Sequence, residues 1–276
     1  MRVALLLCAL LAGPAMAQSH EHHADHAMPA AGPQPTAAPT PPTDHAADRH
    51  FDPTEMAAAR AALFHEHGAM QLSQVMINLA EYKPGKHGDG YAWNGEAWIG
   101  GDIDRLVIKS EGEGGKALEH AEVQAMWSHA LDPYWNLQLG ARQDIRPRPG
   151  RTYAAVALEG LAPYWFEVEA SLFLSNKGDV SARIEAYHDM RLTQLFILQP
   201  RIEANFAASD DRATGTGSGL SDAEIGLRLR YEISRQFAPY IGIVHERKFG
   251  DTGRLAAAAG DKRRDTRAVL GLRAWF

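Results

Sequence analysis

The feature that most constrains this chain is an alternation of apolar and polar side chains that recurs throughout residues 68–276. In one stretch the apolar positions are Phe166, Val168, Ala170, Leu172 and Leu174, and the other parity holds Glu167, Glu169, Ser171 and Phe173. Because successive side chains of a strand point to opposite faces, a period of two indicates strands with one apolar and one polar face. Twelve such segments begin near residues 69, 90, 102, 116, 135, 151, 164, 179, 195, 221, 238 and 265.

The connections between these segments alternate in character. Tight turns are predicted at residues 100–101, 131–133, 162–163, 193–194 and 234–238, and longer polar loops at residues 83–89, 111–115, 209–219 and 249–264. An even strand number with short turns at one end and long loops at the other is typical of a transmembrane antiparallel β-barrel. A soluble β-sandwich, whose strands also alternate, is the alternative. Pro200 lies within a predicted strand and has no N–H, so we expect a bulge or a break there.

The same alternation assigns side chains to the lumen of the predicted barrel. On the fourth strand His120, Glu122, Gln124, Met126 and Ser128 are expected to face inward, and Ala121, Val123, Ala125 and Trp127 outward. On the first strand Gln74, Met76 and Asn78 are expected to face inward, against Val75, Ile77 and Leu79. Further charged residues predicted to face inward are Glu96, Arg142, Asp144, Glu167, Glu169, Arg183, Glu185, Asp189, Arg201, Glu203, Glu224, Arg228, Arg230 and Arg273.

Most of these inward charges are expected to pair across the lumen, since charge is costly against lipid. The soft and imidazole donors Met76, His120, Met126, with the carboxylate of Glu122, form a candidate metal relay on the inner face. His129 and His188 fall on the outer parity near strand ends, whereas the facing of His245 is ambiguous.

The first residues have the pattern of a secretory signal. Arg2 is followed by an apolar stretch, and residues 15–17 form a small-x-small cleavage site, so residues 1–17 are predicted to be removed. Cys8, the single cysteine, lies within this segment, too early in it for the lipoprotein alternative. The processed chain therefore has no thiolate for a metal site. No later run of about 18 apolar residues predicts a transmembrane helix.

Residues 18–67 are predicted to form a disordered arm, because they are rich in proline and histidine and poor in apolar residues that could offset the entropy of ordering. A short helix is predicted from Pro53 to Phe64, with Asp52 as its cap. The arm contains eight of the thirteen histidines. Its predicted metal ligands are His20, His22, His23, Asp25, His26, Met28, His45, His50, His65 and His67.

Imidazole suits copper and zinc, and thioether adds a preference for Cu(I). Nickel or zinc capture stays open on these donors, as does a polar tail with incidental histidines. The net charge of −6 gives no indication of a nucleic-acid partner. The Gly-rich residues 214–219 lack the strand-turn-helix setting of a nucleophile elbow, so no enzymatic activity is predicted, and an outer-membrane hydrolase is the weakest alternative.

Several short stretches carry a family resemblance. They are EAWIGGD at 96–102 with Leu106, KSEGE at 109–113, GLAPYWF at 160–166, LTQ at 192–194 with LQPR at 198–201, and APYIG at 238–242 with GDT at 250–252. In these motifs the chain resembles the copper resistance protein B family (CopB/PcoB) of outer-membrane proteins. The resemblance implies copper binding and copper homeostasis, and it implies that Pro200 is a family feature. Family arms are often rich in methionine, whereas this arm has only Met28 and Met56, which favours Cu(II) at imidazole and leaves Cu(I) as a second form.

The resulting hypothesis is a copper-binding barrel in the outer membrane of a Gram-negative cell, with its arm in the periplasm. The arm captures copper, and the barrel sequesters copper or moves it across the membrane. Expected partners are outer-membrane lipid and periplasmic copper-carrying proteins. A porin-like or structural barrel with incidental histidines is the alternative.

Overall fold

The computed structural model describes residues 45–68, 70–85 and 88–276. Within the described residues the chain divides into two units, residues 45–57 and residues 58–276. The predicted signal segment and residues 18–44 of the arm lie outside the described residues. A 3-10 turn spans Ala46–Arg49, helix α1 spans Pro53–Leu63, and a π-helical turn spans Phe64–Gly68.

Helix α1 confirms the helix predicted near Pro53. Asp52 is its cap, because its Oδ1 accepts hydrogen bonds from the backbone N–H groups of Thr54 at 2.9 Å and Glu55 at 3.0 Å. No residue of α1 is buried. In the part of the chain that is described, no helix is both long and apolar enough to cross a membrane.

The second unit is a wall of antiparallel strands. They are β1 Leu72–Lys83, β2 Gly90–Gly100, β3 Asp104–Gly114, β4 Leu118–Ala130, β5 Trp135–Arg146, β6 Arg151–Ala162, β7 Phe166–Ser175, β8 Val180–Tyr187, β9 Met190–Arg191, β10 Phe196–Ala207, β11 Gly219–Tyr231, β12 Phe237–Lys248 and β13 Arg264–Trp275. The two-residue β9 continues the line of β8 along β10, and β13 pairs with β1, so the sheet closes. The predicted twelve-stranded antiparallel barrel is confirmed, with every strand starting within three residues of its predicted position.

The connections differ between the two ends of the barrel. At the end where β1 begins and β13 ends, the turn end, five turns hold three to five residues each: 101–103, 131–134, 163–165, 192–195 and 232–236. At the opposite end, the loop end, the connections are 84–89, 115–117, 147–150, 176–179, 208–218 and 249–263. Only the first and the last two of these are long, so the prediction of a long loop at 111–115 is wrong. Residues 111–114 instead extend β3. The last loop contains helix α2, Gly250–Ala259.

The outer face of the barrel is apolar and exposed, as the alternation predicts. Exposed side chains on it include Val75, Ile99, Leu106, Trp127, Leu172, Leu174, Ile241 and Leu270. The lumen holds two buried apolar clusters. One consists of Val107, Met126, Ala155, Ala157 and Phe173, and the other of Leu79, Tyr240, Val244 and Val269. Buried charged side chains, among them Glu122, Arg183 and Arg228, also lie in the lumen.

Because of a β-bulge in β1, the predicted outward orientation of one side chain is wrong. Ile77 pairs with Gly95 and Leu79 with Asn94, which leaves Asn78 as the extra residue. The extra residue reverses the parity of everything that follows it. Leu79, predicted to face outward, is therefore only 8% exposed and packs inside the barrel. Ala121 of β4 is also buried rather than outward-exposed, where the ladder to β5 is irregular between Ala121 and Glu122.

Pro200 disturbs the wall in a different way from that predicted. It lies in the unbroken β10 and pairs with Leu227 of β11. The gap falls in the neighbouring strand line, where β8 ends at Tyr187 and β9 begins at Met190. The pairs on both sides of the gap keep one register, because Arg201 faces Tyr187 and Leu198 faces Met190. The missing N–H of Pro200 thus removes ladder bonds on one side without adding a residue.

Candidate functional site

The centre of the lumen is occupied by the carboxylate of Glu122 on β4. Its side chain is 1% exposed. Arg183 on β8 donates a bidentate pair of hydrogen bonds to it, with both N–O distances 3.0 Å, and Arg142 Nη2 lies 2.7 Å from Oε2. Bidentate guanidinium–carboxylate pairs fix geometry as well as charge. Since β4 and β8 are separated by three strands of the wall, the Glu122–Arg183 pair links two non-adjacent parts of the wall across the lumen.

From Glu122 the ion pairs continue across the lumen. Arg183 Nε lies 3.6 Å from Glu203 Oε1, and Arg201 Nη2 lies 2.9 Å from Glu203 Oε2. Arg201 also forms a forked pair with Glu185 at 2.7 and 2.9 Å. On the far side of the lumen, Arg228 Nε lies 2.7 Å from Glu81 Oε1. Glu224 Oε1 joins the two sets, because it lies 3.6 Å from Arg201 Nη1 and 3.5 Å from Arg228 Nη2. Together these pairs form a continuous charged layer across the lumen.

The charged layer separates two cavities. One, of about 430 Å³, opens toward the turn end, and the other, of about 920 Å³, opens toward the loop end. The side chains that line both are Leu79, Asn94, Glu111, Arg183 and Arg201. The two cavities are therefore distinct, and the charged layer lies between them.

The turn-end cavity has an excess of acidic side chains. Seven glutamates line it, Glu96, Glu111, Glu122, Glu159, Glu167, Glu169 and Glu185, against the four cations Lys109, Arg183, Arg201 and Arg273. Lys109 Nζ bridges Glu159 and Glu169, with 2.7 Å to each. The carboxyl groups outnumber the cations, so this cavity offers oxygen ligands to a bound cation.

The loop-end cavity is partly covered by the two longest loops. Arg151 Nη2 at the start of β6 binds Asp211 Oδ2 of the 208–218 loop at 3.0 Å. The same loop is tied to α2, because the Gly217 N–H donates to Thr252 Oγ1 at 2.8 Å. Burial acts to raise the pKa of Asp211, but the Ala213 N–H and the Arg151 guanidinium outweigh it and leave that pKa below its ordinary value. The Ser218 N–H likewise lowers the pKa of Asp210.

Comparisons with known proteins identify the family of this barrel. The family described as copper resistance protein B precursor matches residues 71–276, which include every strand. The chain belongs to the copper resistance protein B family.

Two relatives and one solved structure show how far the similarity extends. A copper resistance protein B homolog of Pseudomonas syringae pv. tomato is 41% identical over 290 residues, covering 99% of this chain and 94% of the relative. Copper resistance protein B of Escherichia coli is 44% identical over 203 residues, covering 73% of this chain and 69% of the relative. Family membership supports a role in copper resistance. A solved NanC porin is similar over 74% of this chain and 99% of its own, with a TM-score of 0.49 and 15% identity, and nothing about function follows from that likeness.

The four lumen donors predicted to form a metal relay occupy different surroundings in this member of the copper resistance protein B family. His120 Nε2 lies 3.6 Å from Glu122 Oε2 and lines the loop-end cavity. Met76 lines the turn-end cavity, where its sulfur accepts a contact from Arg273 Nη2 at 3.5 Å. Met126 is 1% exposed and packs in the apolar cluster with Val107. The structure thus brings His120 and Glu122 together and leaves the two methionines apart from them.

The arm donors divide between described and undescribed residues. His20, His22, His23, Asp25, His26 and Met28 lie outside the described residues. His45, His50, His65 and His67 are described, and all four are exposed. Across residues 45–68, 70–85 and 88–276, no three His, Cys, Asp or Glu side chains are grouped to hold a metal ion. The assignment of these ligands stays a prediction.

The outer-facing histidines lie where the alternation put them. His129 stacks beside Trp127 on the outer face and its Nδ1 lies 2.8 Å from Asp104 Oδ1. His188 lies against Phe166. His245, whose facing the sequence left open, is exposed on the outer face with Nδ1 2.7 Å from Thr266 Oγ1.

The charged lumen residues missed by sequence reasoning include Glu81, Lys83, Lys109, Glu111 and Glu159. The first two follow the bulge at Asn78, so the uninterrupted parity of β1 placed them on the wrong face. The signal for the others was present. Lys109 and Glu111 share the parity of the buried Val107, and Glu159 shares that of the buried Ala157.

Proposed function

We propose that this protein binds copper at the outer membrane and contributes to copper resistance by capturing the ion on its N-terminal arm. The observation that carries the proposal is that every described histidine of the arm is exposed and available as a ligand. Membership of the copper resistance protein B family supports copper over zinc or nickel. The expected form is Cu(II) at imidazole, with Cu(I) as a second form near Met28 and Met56.

The proposed location is the outer membrane, with the arm in the periplasm. The exposed apolar outer face of the barrel supports it, because such a face is stable against hydrocarbon and costly in water. The arm precedes β1, which begins at the turn end, and short turns are typical of the periplasmic side. Proposed partners are therefore outer-membrane lipid and periplasmic copper-carrying proteins. The proposed role is binding and sequestration or movement of copper, without catalysis.

The side chains in the lumen support sequestration or controlled passage of copper better than free diffusion of copper. The turn-end cavity offers carboxyl oxygens to a cation, and the Glu122–Arg183 pair lies between it and the loop-end cavity. For Glu122 to bind a copper ion it would have to exchange two guanidinium partners for the metal. A metal relay through His120 and Met76 consequently requires the charged layer to rearrange.

The test is a Cu(II) titration of the detergent-purified protein, followed by EPR. One variant replaces the eight arm histidines (20, 22, 23, 26, 45, 50, 65 and 67) with asparagine. The matched control replaces His129, His188 and His245 on the outer face of the barrel. We expect the arm variant to lose most of its bound Cu(II) and the nitrogen couplings in the spectrum, and the control to keep both. Equal copper stoichiometry in the wild type and the arm variant would remove the arm from the mechanism.

A further inference from the structure

The outer face of β12 and β13 changes character toward the loop end. Directly paired residues on the two strands form successive rows: Ile241 with Leu270, Ile243 with Ala268, His245 with Thr266, and Arg247 with Arg264. All eight side chains lie on the exposed side of the wall. The rows therefore run from apolar through polar to cationic as they approach the rim.

The cationic row is a like-charge pair without a counter-charge. Side chains directly opposite each other on antiparallel strands have Cβ atoms about 4.5–5.5 Å apart, and like charges there are destabilising. Among the described residues, no carboxylate forms an ion pair with Arg247, Arg263 or Arg264.

Three acidic side chains near this pair in the sequence are engaged elsewhere. Asp265 binds Lys262 at 3.0 Å and Arg267 at 2.6 Å, and Asp251 binds Arg254. Glu246 belongs to the inner parity of β12 and lies 3.9 Å from Lys248. Arg247 and Arg264 can therefore form ion pairs with an anion from outside the protein.

Arg247 is also oriented. Its guanidinium carbon lies 4.9 Å from the centroid of the Phe249 ring. Stacking on an aromatic face limits the conformations of the guanidinium while leaving its N–H groups free to donate. A planar donor held this way suits the oxygens of a phosphate group.

We propose that Arg247 and Arg264 bind the headgroup phosphate of an anionic lipid in the leaflet that surrounds the loop end. The His245–Thr266 row meets the polar backbone of the lipid, and the isoleucine and leucine rows meet its acyl chains. The order of the rows matches the order of chemical groups along a membrane lipid. The site rests on the proposed membrane insertion of the barrel, and it requires no copper.

The test measures lipid binding to the intact protein in detergent by native mass spectrometry. The probes are phosphatidylglycerol, phosphatidylcholine and inorganic phosphate. The test variant is R247Q/R264Q. The matched control is R148Q/R212Q, which removes the same charge from exposed loop positions at the same end. Copper stoichiometry is measured on each sample.

We expect the wild type to bind phosphatidylglycerol in preference to phosphatidylcholine, and the test variant to bind it about tenfold more weakly, since it loses two charge-assisted donors. The control keeps wild-type affinity. Equal phosphatidylglycerol affinity in test and control variants would overturn the proposal, as would inorganic phosphate binding as tightly as the lipid. If the wild type bound copper but did not prefer phosphatidylglycerol, only this lipid site would be contradicted. If the wild type preferred phosphatidylglycerol but did not bind copper, only the proposed function would be contradicted.

Discussion

Glu122 shows how one carboxylate can organise a barrel interior. It is shared by Arg142 and Arg183, and Gln124 donates a further hydrogen bond to it at 2.8 Å. Arg142 is itself held between Asp144 and the rings of Tyr153 and Phe173. The geometry of the charged layer is therefore fixed from both sides of Glu122.

Replacing Glu122 by glutamine should destabilise the barrel markedly. The substitution keeps the shape of the side chain but leaves two buried guanidinium groups without their shared counter-charge. Removing one partner of a buried ion pair costs about 3–5 kcal/mol. Urea or thermal unfolding in detergent micelles would measure the loss. Glu119→Gln, at an exposed position of the same strand, is the control, and equal stability of the two variants would contradict the role given to Glu122.

At the residue scale the sequence predicted which side chains enter the lumen better than which of them meet. Parity along each strand placed Glu122, Arg183 and Arg201 inside. It carried no information on distance across the barrel, so the pairing of Glu122 on β4 with Arg183 on β8 was not predictable. Met126 has the right parity for the relay, but its neighbours Val107 and Phe173 come from other strands and make its surroundings apolar.

At the scale of elements, the turns were predictable because their chemistry is local. Asp132 Oδ1 accepts hydrogen bonds from the N–H groups of Tyr134 and Trp135, and Thr193 Oγ1 accepts from Leu195 and Phe196. Such side-chain turns follow from short-range sequence. The bulge at Asn78 was not predictable, because it depends on the register that β1 adopts with β2.

The bulge gives a direct test of facing. The processed chain is predicted to contain no cysteine, so single cysteines at Val75 and Leu79 can be spin-labelled separately. We expect the label at position 75 to be accessible to oxygen dissolved in the bilayer and the label at 79 to be shielded from it. An uninterrupted strand would place both on the same face, so equal oxygen accessibility would rule out the bulge.

The 208–218 loop should loosen in acid. Because the folded-state pKa of Asp211 is lowered, its contribution to loop stability is fully present above the ordinary aspartate pKa of about 3.9 and is lost as the pH falls through the lower folded value. A spin label at Ala213→Cys should become mobile on acidification below about pH 4. A label at Lys177→Cys in another loop serves as the control.

Arg151→Gln separates this contact from general acid unfolding. The variant should show a mobile label at position 213 already at neutral pH, since Asp211 loses its guanidinium partner. A label that stays immobile in this variant would show that the Arg151–Asp211 pair does not hold the loop.

At the scale of the whole molecule, the charged layer gives a prediction about ion conduction. In planar bilayers we expect the wild type to show no resolvable ohmic steps, because the charged layer lies between the two cavities. Removing both partners in E122A/R183A should open a path and produce steps. The control E246A/K248A alters a pair at the loop-end rim and should stay silent. Steady conductance by the wild type would favour the porin-like alternative.

Closure of the barrel depends on Met76 meeting Trp275, two residues separated by about 200 positions of chain. Contacts between such distant residues form slowly, because the ordering of everything between them comes first. Until they form, both outermost strands present unsatisfied amide and carbonyl groups to their surroundings. The sheet before closure is therefore the form of this protein most prone to aggregation. Conditions that delay the pairing of β1 with β13 should favour aggregation over membrane insertion.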